Sequence, residues 1–194
     1  FKDERDIEVV GLIASIFAYG NVKQIETTLM KFMLIFDGKP YSFIKDINSK
    51  NLEKLKAIKH RFYSEEDVKR LFIILSKEIN RQKSIKQIFL QGYNIADKNV
   101  KNGISNFSNH FLNSFIETFG EHSNGIKFMF PLPEKGSACK RMNLYLRWMV
   151  RKDELDFGLW KEVPTSKLVI PVDTHIARIS RSLKLTYCKN ADWK

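Results

Sequence analysis

Apolar residues recur every three or four positions along most of the chain, and this spacing limits the fold more than any other feature of the sequence. The clearest example is the segment 96–119, where large apolar side chains form one stripe: Val100, Ile104, Phe107, Phe111, Phe115 and Phe119. Such a repeat places the side chains on one face of an α-helix, which is typical of a helix packed on a core. Strand signals are few, and residues 168–172 carry the one plausible strand. The sequence therefore predicts an all-α fold.

Start and stop signals divide the chain into helices. Ser64 and the three acidic residues after it form a strong N-cap signal. We predict short helical pieces over residues 39–62, an irregular segment over 120–135, and longer helices over 3–19, 22–36, 64–81, 84–91, 96–119, 137–151 and 173–183. We expect one domain over residues 1–194, with a helical lobe at 20–130 and a functional segment at 131–194. The chain begins at Phe1 rather than Met, and we expect residues to be missing at both ends.

Charge and cysteine usage limit the partners and the compartment. The 194 residues carry a formal net charge of +11, which favours a polyanionic partner, nucleic acid before an anionic membrane, although a solvated basic surface is the alternative. Two cysteines, Cys139 and Cys188, exclude a disulfide framework and an iron–sulfur cluster. No signal peptide or membrane-spanning apolar run occurs, so we expect a cytoplasmic protein. We also expect a monomer, and no catalytic metal, since the four histidines show no metal-ligand spacing.

Two residues stand where helices are predicted to begin. Lys140 lies near the start of an amphipathic helix, and Asp173 follows Pro-Val at the start of the next one. A lysine amine can act as a nucleophile, and a carboxylate at a helix N-terminus is stabilised by the backbone N–H groups there. The alternatives are a surface lysine and a carboxylate that only caps its helix.

Two motifs carry a resemblance to a known family. Gly136-Ser137-Ala138-Cys139-Lys140 precedes an apolar helix. The second motif is Val172-Asp173-Thr174-His175, in which Asp173 lies 33 positions after Lys140. Together they resemble the helix-hairpin-helix DNA glycosylase superfamily, which includes endonuclease III, adenine glycosylase and 8-oxoguanine glycosylase. Over its whole length the chain also resembles a bacterial family of uncharacterised proteins within or near this superfamily. The resemblance implies a helix-hairpin-helix architecture of two helical lobes.

The resemblance also implies roles for individual residues. Lys140 corresponds to the Schiff-base lysine of the bifunctional members, and Asp173 to their aspartate. Contacts to DNA are expected from the loop and hairpin residues and from two arginines: Tyr19, Gly20, Asn21, Gly136, Ser137, Ala138, Arg141 and Arg178. Aromatic side chains are candidates to hold a flipped base between them, and packing in the core is the alternative role for each; the candidates are Phe128, Phe130, Trp148, Phe157 and Trp160.

The hairpin departs from the family pattern in two places. Ala138 stands where the family has its second glycine, and Glu134-Lys135 stand where it has Leu-Pro. A glycine there allows close approach of the backbone to a phosphate. No cofactor is implied, although a structural monovalent cation at the hairpin is possible.

The implied activity is base-excision repair of double-stranded DNA that carries a damaged base, by a glycosylase with an associated AP lyase activity. An oxidised purine such as 8-oxoguanine is the first expected substrate. Three alternatives stay open: a non-catalytic DNA-binding module, a monofunctional glycosylase that uses Asp173 alone, and a helical protein-interaction scaffold with a basic surface.

Overall fold

The computed structural model describes residues 1–56 and 58–193; Ala57 and Lys194, which fall in the predicted segments 39–62 and 131–194, lie outside the described residues. The described chain contains ten α-helices and no strand, which confirms the all-α prediction. They are α1 (Glu4–Phe17), α2 (Val22–Phe36), α3 (Pro40–Lys45), α4 (Ser49–Leu55), α5 (Glu65–Gln82), α6 (Ile85–Gln91), α7 (Lys101–Phe119), α8 (Asn124–Met129), α9 (Lys140–Val150) and α10 (Thr174–Ser182).

Helix α1 lies at the centre of the fold. It packs against α9 and also contacts α2, α3 and α6, so it joins the N-terminal helices to the segment that carries Lys140. Gly11 permits this close packing, because a Cβ there would lie 3.0 Å from Met149 Cε and 3.2 Å from Tyr145 Cε2. The Tyr145 hydroxyl donates to the Glu8 carbonyl at 3.1 Å and ties the two helices together. The glycosylase-like arrangement of the helices stays a prediction.

Most predicted helices are confirmed, including the cap at Ser64. The Ser64 hydroxyl accepts from the backbone of Asp67 and the Asp67 carboxylate accepts from the backbone of Ser64, which forms a capping box for α5. The apolar stripe of α7 is buried from Ile104 to Phe115, as a core face should be. None of the helices in the described part of the chain combines the length and apolarity needed to cross a bilayer.

Two predicted segments were wrong in extent. Helix α7 begins at Lys101 and not at 96, because tertiary bonds hold the preceding turn: Val100 N donates to the Lys167 carbonyl at 3.1 Å and Lys167 Nζ donates to the Asp97 carbonyl at 2.5 Å. The segment 120–135 is not irregular throughout, since it contains α8, whose first turn is capped by Ser123.

The predicted strand at 168–172 is also wrong. These residues are extended, but no neighbouring strand in the described chain pairs with them. They belong to the segment that connects the C-terminal end of α9 to the start of α10. Phe157 N and Trp160 N donate to the carbonyls of Trp148 and Met149, both at 2.8 Å, and so attach the chain to the C-terminal end of α9. The chain then runs back to the N-terminal end of this helix, which is about 16 Å away for eleven residues.

Candidate active site

A cleft of about 680 Å³ opens at the N-terminal ends of α9 and α10. Its walls come from the loop after α1, from the chain around α8 and from the turn before α9. The lining residues are Ala18, Tyr19, Gly20, Leu112, His122, Lys127, Phe128, Phe130, Pro131, Leu132, Lys135, Ser137, Ala138, Cys139, Lys140, Arg141, Val172, Asp173, Thr174 and Ala191. Its volume is in the range of small-ligand sites.

Lys140 is the first residue of α9, which begins there and not at 137. The backbone turns sharply before it, because Gly136 (φ +82°) and Cys139 (φ +47°) are both left-handed. The Ser137 hydroxyl accepts a hydrogen bond from Cys139 N at 3.1 Å and supports this turn. The Cys139 side chain is buried, and burial raises the pKa of its thiol to about 11, so it is no thiolate at neutral pH.

Asp173 joins α10 to Lys140. Its Oδ1 accepts from the backbone of His175 and Ile176, both at 2.9 Å, and its Oδ2 accepts from Lys140 Nζ at 2.9 Å. The hydrogen bond from Ile176 N, followed by that from Lys140, lowers the pKa of Asp173 to about 2. The helix cap and the ion pair therefore coexist, each on its own carboxylate oxygen, and the carboxylate stays ionised at neutral pH.

The lowered pKa predicts a pH-dependent contribution of Asp173 to stability. A carboxyl whose pKa is lower in the folded state stabilises the protein above its unfolded value of 3.8, and this contribution is lost as the pH falls towards 2. We expect Asp173→Ala to lower the free energy of unfolding by about 1–2 kcal/mol above pH 5. Urea unfolding of both proteins from pH 6 to pH 3 measures the difference, which should narrow below pH 4. A difference independent of pH would contradict the assigned carboxylate contacts.

The loop after α1 contributes Tyr19 and Gly20 to the cleft, whereas Asn21 points elsewhere. Asn21 caps α2, accepting from Lys23 N at 2.8 Å, and lines a separate groove. The Tyr19 hydroxyl donates to the His60 carbonyl at 2.7 Å and accepts from Phe62 N at 3.2 Å. Of the predicted loop residues, two therefore lie at the cleft and the third lies beside it.

Arg141 lines the cleft but is not free to bind a DNA phosphate, which corrects the prediction for this residue. The residue is 7% exposed. The guanidinium donates to the Ile16 carbonyl at 2.9 Å, to the Tyr63 hydroxyl and to the Phe128 carbonyl. It also lies 4.1 Å from the centroid of the Phe128 ring. Arg141 therefore links α1, α8 and α9 at the floor of the cleft.

We expect Arg141→Met to destabilise the protein by about 2–4 kcal/mol, because it leaves buried acceptors without a donor. Urea unfolding measures this loss. For the predicted binding to DNA, measured where the variant is folded, the salt dependence should keep its slope, whereas loss of a phosphate contact lowers that slope by about 0.9. An unchanged stability together with a lowered slope would restore Arg141 as a phosphate contact.

The predicted base pocket is also corrected. Trp160 is fully buried and donates from Nε1 to Glu8 at 3.0 Å, so it is not available to a base. Trp148 and Phe157 lie at the C-terminal end of α9, away from Lys140, and Phe130 is fully buried although it touches the cleft. Phe128 is the candidate that is both in the cleft and 39% exposed.

Of the other predicted DNA contacts, some line the cleft and some do not. Ser137 and Ala138 line the cleft, while Gly136 is exposed just outside its lining, and Arg178 is exposed on α10 without lining the cleft. The carbonyl of Ala138 accepts from Asn143 Nδ2 at 3.1 Å, and that of Ser137 faces Cys139 Sγ at 3.5 Å. Two hairpin carbonyls thus have partners within the protein, and the monovalent cation stays a prediction. The described residues contain no cluster of His, Cys, Asp or Glu suited to a metal ion.

Sequence reasoning missed Lys127 and Lys135, which line the cleft from the chain around α8 and from the turn before α9. Both are exposed, and nothing in their local sequence separates them from the other lysines. Their place in the cleft depends on how α8 and the hairpin pack.

Comparisons with known proteins identify a family but not an activity. No curated protein and no solved structure matches the chain. A family model described as "Protein of unknown function (DUF2400)" matches residues 1–194. Because the match covers the full length, the chain belongs to the DUF2400 family.

Proposed function

We propose that this protein is a base-excision DNA glycosylase with an associated AP lyase activity. The observation that carries the proposal is the ion pair between Lys140 Nζ and Asp173 Oδ2, 2.9 Å apart in the cleft although the residues are 33 positions apart in sequence. A pair of helix N-termini that brings an amine and an ionised carboxylate together is suited to attack on a sugar carbon. The side chains are 40% and 30% exposed, so a substrate can reach both.

Lys140 is proposed as the nucleophile. A neutral amine is needed, so Lys140 gives up one proton, and the departing base, which leaves with the electron pair of the C1′–N bond, takes up one. Nζ bonds to C1′ as the base departs. Opening of the C1′–O4′ bond then passes a second proton from Nζ to O4′ and gives a protonated imine and a 4′ hydroxyl. Loss of a C2′ proton from this imine expels the 3′ phosphate, which cuts the strand.

Asp173 is proposed to act through its charge. A carboxyl with a pKa of about 2 is a weak proton acceptor at neutral pH, but it is ionised throughout the reaction. Because Oδ1 is held by two backbone N–H groups, Oδ2 keeps a defined position beside Nζ. We infer that it stabilises the positive charge that develops on the sugar and orients the amine for attack.

The cleft supports a flipped nucleotide as the substrate. A base in a duplex must leave the stack to be excised, and the cleft has the volume of a small-ligand site with an exposed aromatic ring, Phe128, and apolar walls. Lys127 and Lys135 line it as well, and the chain carries a net charge of +11, which suits the phosphates around the lesion. An oxidised purine such as 8-oxoguanine is the first substrate to test.

Borohydride trapping tests the proposal, because borohydride reduces the imine to a stable covalent bond. One duplex carries a single 8-oxoguanine and a second carries an abasic site. A covalent complex on both supports glycosylase and lyase activity on this base. A complex on the abasic duplex alone supports the lyase with another target base. No complex on either duplex at low salt would contradict the role of Lys140.

One observation favours a second candidate, a monofunctional glycosylase. The ion pair engages Lys140 Nζ as a hydrogen-bond donor to Asp173 Oδ2 at 2.9 Å, whereas attack on the sugar needs a free amine lone pair. In that case Asp173 would direct water to the sugar, and the product would be an intact strand with an abasic site. Product analysis without added base or heat separates the two activities, since the lyase alone yields a cut strand.

A further inference from the structure

A tight turn beside the cleft presents Arg61 and Phe62 to solvent. His60 and Tyr63 pair across its base, with His60 N to the Tyr63 carbonyl at 3.3 Å and Tyr63 N to the His60 carbonyl at 2.9 Å. Both of these residues are buried, at 3% and 0% exposure, whereas the Phe62 side chain is 63% exposed. Arg61 has a left-handed backbone (φ +50°), which is uncommon for a residue other than glycine.

Tyr19 holds this turn against the cleft. Its ring stacks on that of Phe62, with centroids 6.0 Å apart and planes at 12°, and its hydroxyl bonds the turn on both sides, at the His60 carbonyl and at Phe62 N. Phe128, which lines the cleft, meets the Phe62 ring edge-on at 5.7 Å. The exposed ring is therefore held in one orientation, next to the site of the proposed chemistry.

Gly20 explains how Arg61 fits. A Cβ on Gly20 would lie 2.8 Å from Arg61 Cδ and 2.8 Å from Arg61 Nη1, so the arginine side chain occupies the space that the glycine leaves. Its guanidinium lies 5.3 Å from the centroid of Phe62 and 5.8 Å from that of Tyr19. The cation and the ring form one surface.

A basic groove of about 400 Å³ shares Arg61 and His60 with this turn, and Lys140 is not among its lining residues. Four of its nine lining residues are cations and none is acidic; the cations are Lys23, Lys31, Lys59 and Arg61. All four are exposed.

We propose that the Arg61–Phe62 turn stacks on a nucleobase adjacent to the one held in the cleft, and that the basic groove holds phosphates of the same strand. The proposal rests on the proposed function, since the cleft supplies the neighbouring nucleotide. Bases stack on aromatic side chains irrespective of sequence, and arginine adds a cation–π contact to such a surface. A rigid exposed ring beside a groove without acidic residues fits a nucleic-acid strand better than an apolar protein surface, because an apolar surface has no negative charge to pair with the four cations.

Binding to a duplex with a tetrahydrofuran abasic-site analogue tests the stacking, because this analogue cannot form an imine. We expect Phe62→Ala to weaken binding about 5- to 150-fold and Phe62→Trp to restore it. Leu34→Ala is the matched control, since Leu34 is a 78% exposed apolar residue on α2 that lines neither the cleft nor the groove. Thermal unfolding checks that each variant is folded. If Phe62→Ala binds within about twofold of the wild type, the stacking role is overturned.

The groove has its own test. Lys23, Lys31 and Lys59 are replaced together by Gln, and the control protein carries the same change at three exposed lysines that line neither surface: Lys39, Lys98 and Lys161. In the groove variant, we expect the magnitude of the slope of log K against log salt concentration to fall by about 2–3. In the control protein it should fall by less than about 1. Equal losses in both proteins would overturn the phosphate track.

These outcomes are independent of the proposed chemistry. Trapping by the wild type together with full binding by Phe62→Ala would overturn the stacking role alone. Loss of binding by Phe62→Ala in a protein that traps neither duplex would support the stacking role and reject the imine chemistry of Lys140. A protein-partner surface would show as equal DNA affinity of Phe62→Ala, Leu34→Ala and the wild type, and would overturn the proposal.

Discussion

Lys140→Gln is expected to reduce borohydride trapping by about three orders of magnitude or more while DNA binding is largely kept. Gln has no amine that can form an imine, but it has a similar length and can still donate a hydrogen bond to Asp173. Trapping on the abasic duplex measures the first effect, and binding to the tetrahydrofuran duplex measures the second.

Lys135→Gln is the matched control for this prediction. It removes the same charge from the same cleft, so it should lower affinity but keep trapping at saturating protein concentration. Retained trapping by Lys140→Gln would remove Lys140 from the proposed mechanism. Equal loss of trapping in both variants would assign the effect to charge in the cleft rather than to the nucleophile.

Asp173→Asn is expected to lower the single-turnover rate of base excision about 100-fold or more, with a change in unfolding free energy below about 1 kcal/mol. Asn caps a helix about as well as Asp, so the bonds from His175 and Ile176 can be kept. The negative charge beside Lys140 is lost. Single-turnover kinetics on the preferred duplex and urea unfolding measure the two quantities.

The pair Asp173→Asn and Asp173→Ala separates catalysis from capping. If the carboxylate acts as proposed, both variants are slow but only the alanine variant loses the cap. A fast asparagine variant with a slow, unstable alanine variant would show that the residue serves as a helix cap and has no electrostatic role in the reaction.

The outcomes at Arg141 and Trp160 show where local pattern ceases to predict a role. The resemblance assigns Arg141 to a DNA contact, and Trp160 is one candidate for a stacking surface, with core packing as the alternative. In the folded protein Arg141 bonds three groups from distant parts of the chain, and Trp160 bonds Glu8, 152 positions away. Such partners have no signature in the local sequence, because the helix packing that brings them together depends on the whole core.

Gly20 and Phe128 have roles that their local sequence does not specify, because these roles depend on packing by other segments. Gly20 follows the end of the first helix that the sequence predicts, but the space that it leaves for Arg61 depends on a turn 41 positions later. Phe128 was one of five aromatic candidates for a base pocket, and the packing of α8 is what leaves it in the cleft.

The sequence by itself determined the all-α class, most helix positions and the cap of α10 at Asp173, because periodicity and capping are local properties of the chain. It predicted the start of α9 at residue 137, whereas the helix starts at Lys140. The tertiary structure decided that these two starts meet, since the chain must leave the far end of α9 and return along it before α10 begins. It also decided which aromatic rings and cations surround the pair, because burial is set by contacts between distant segments.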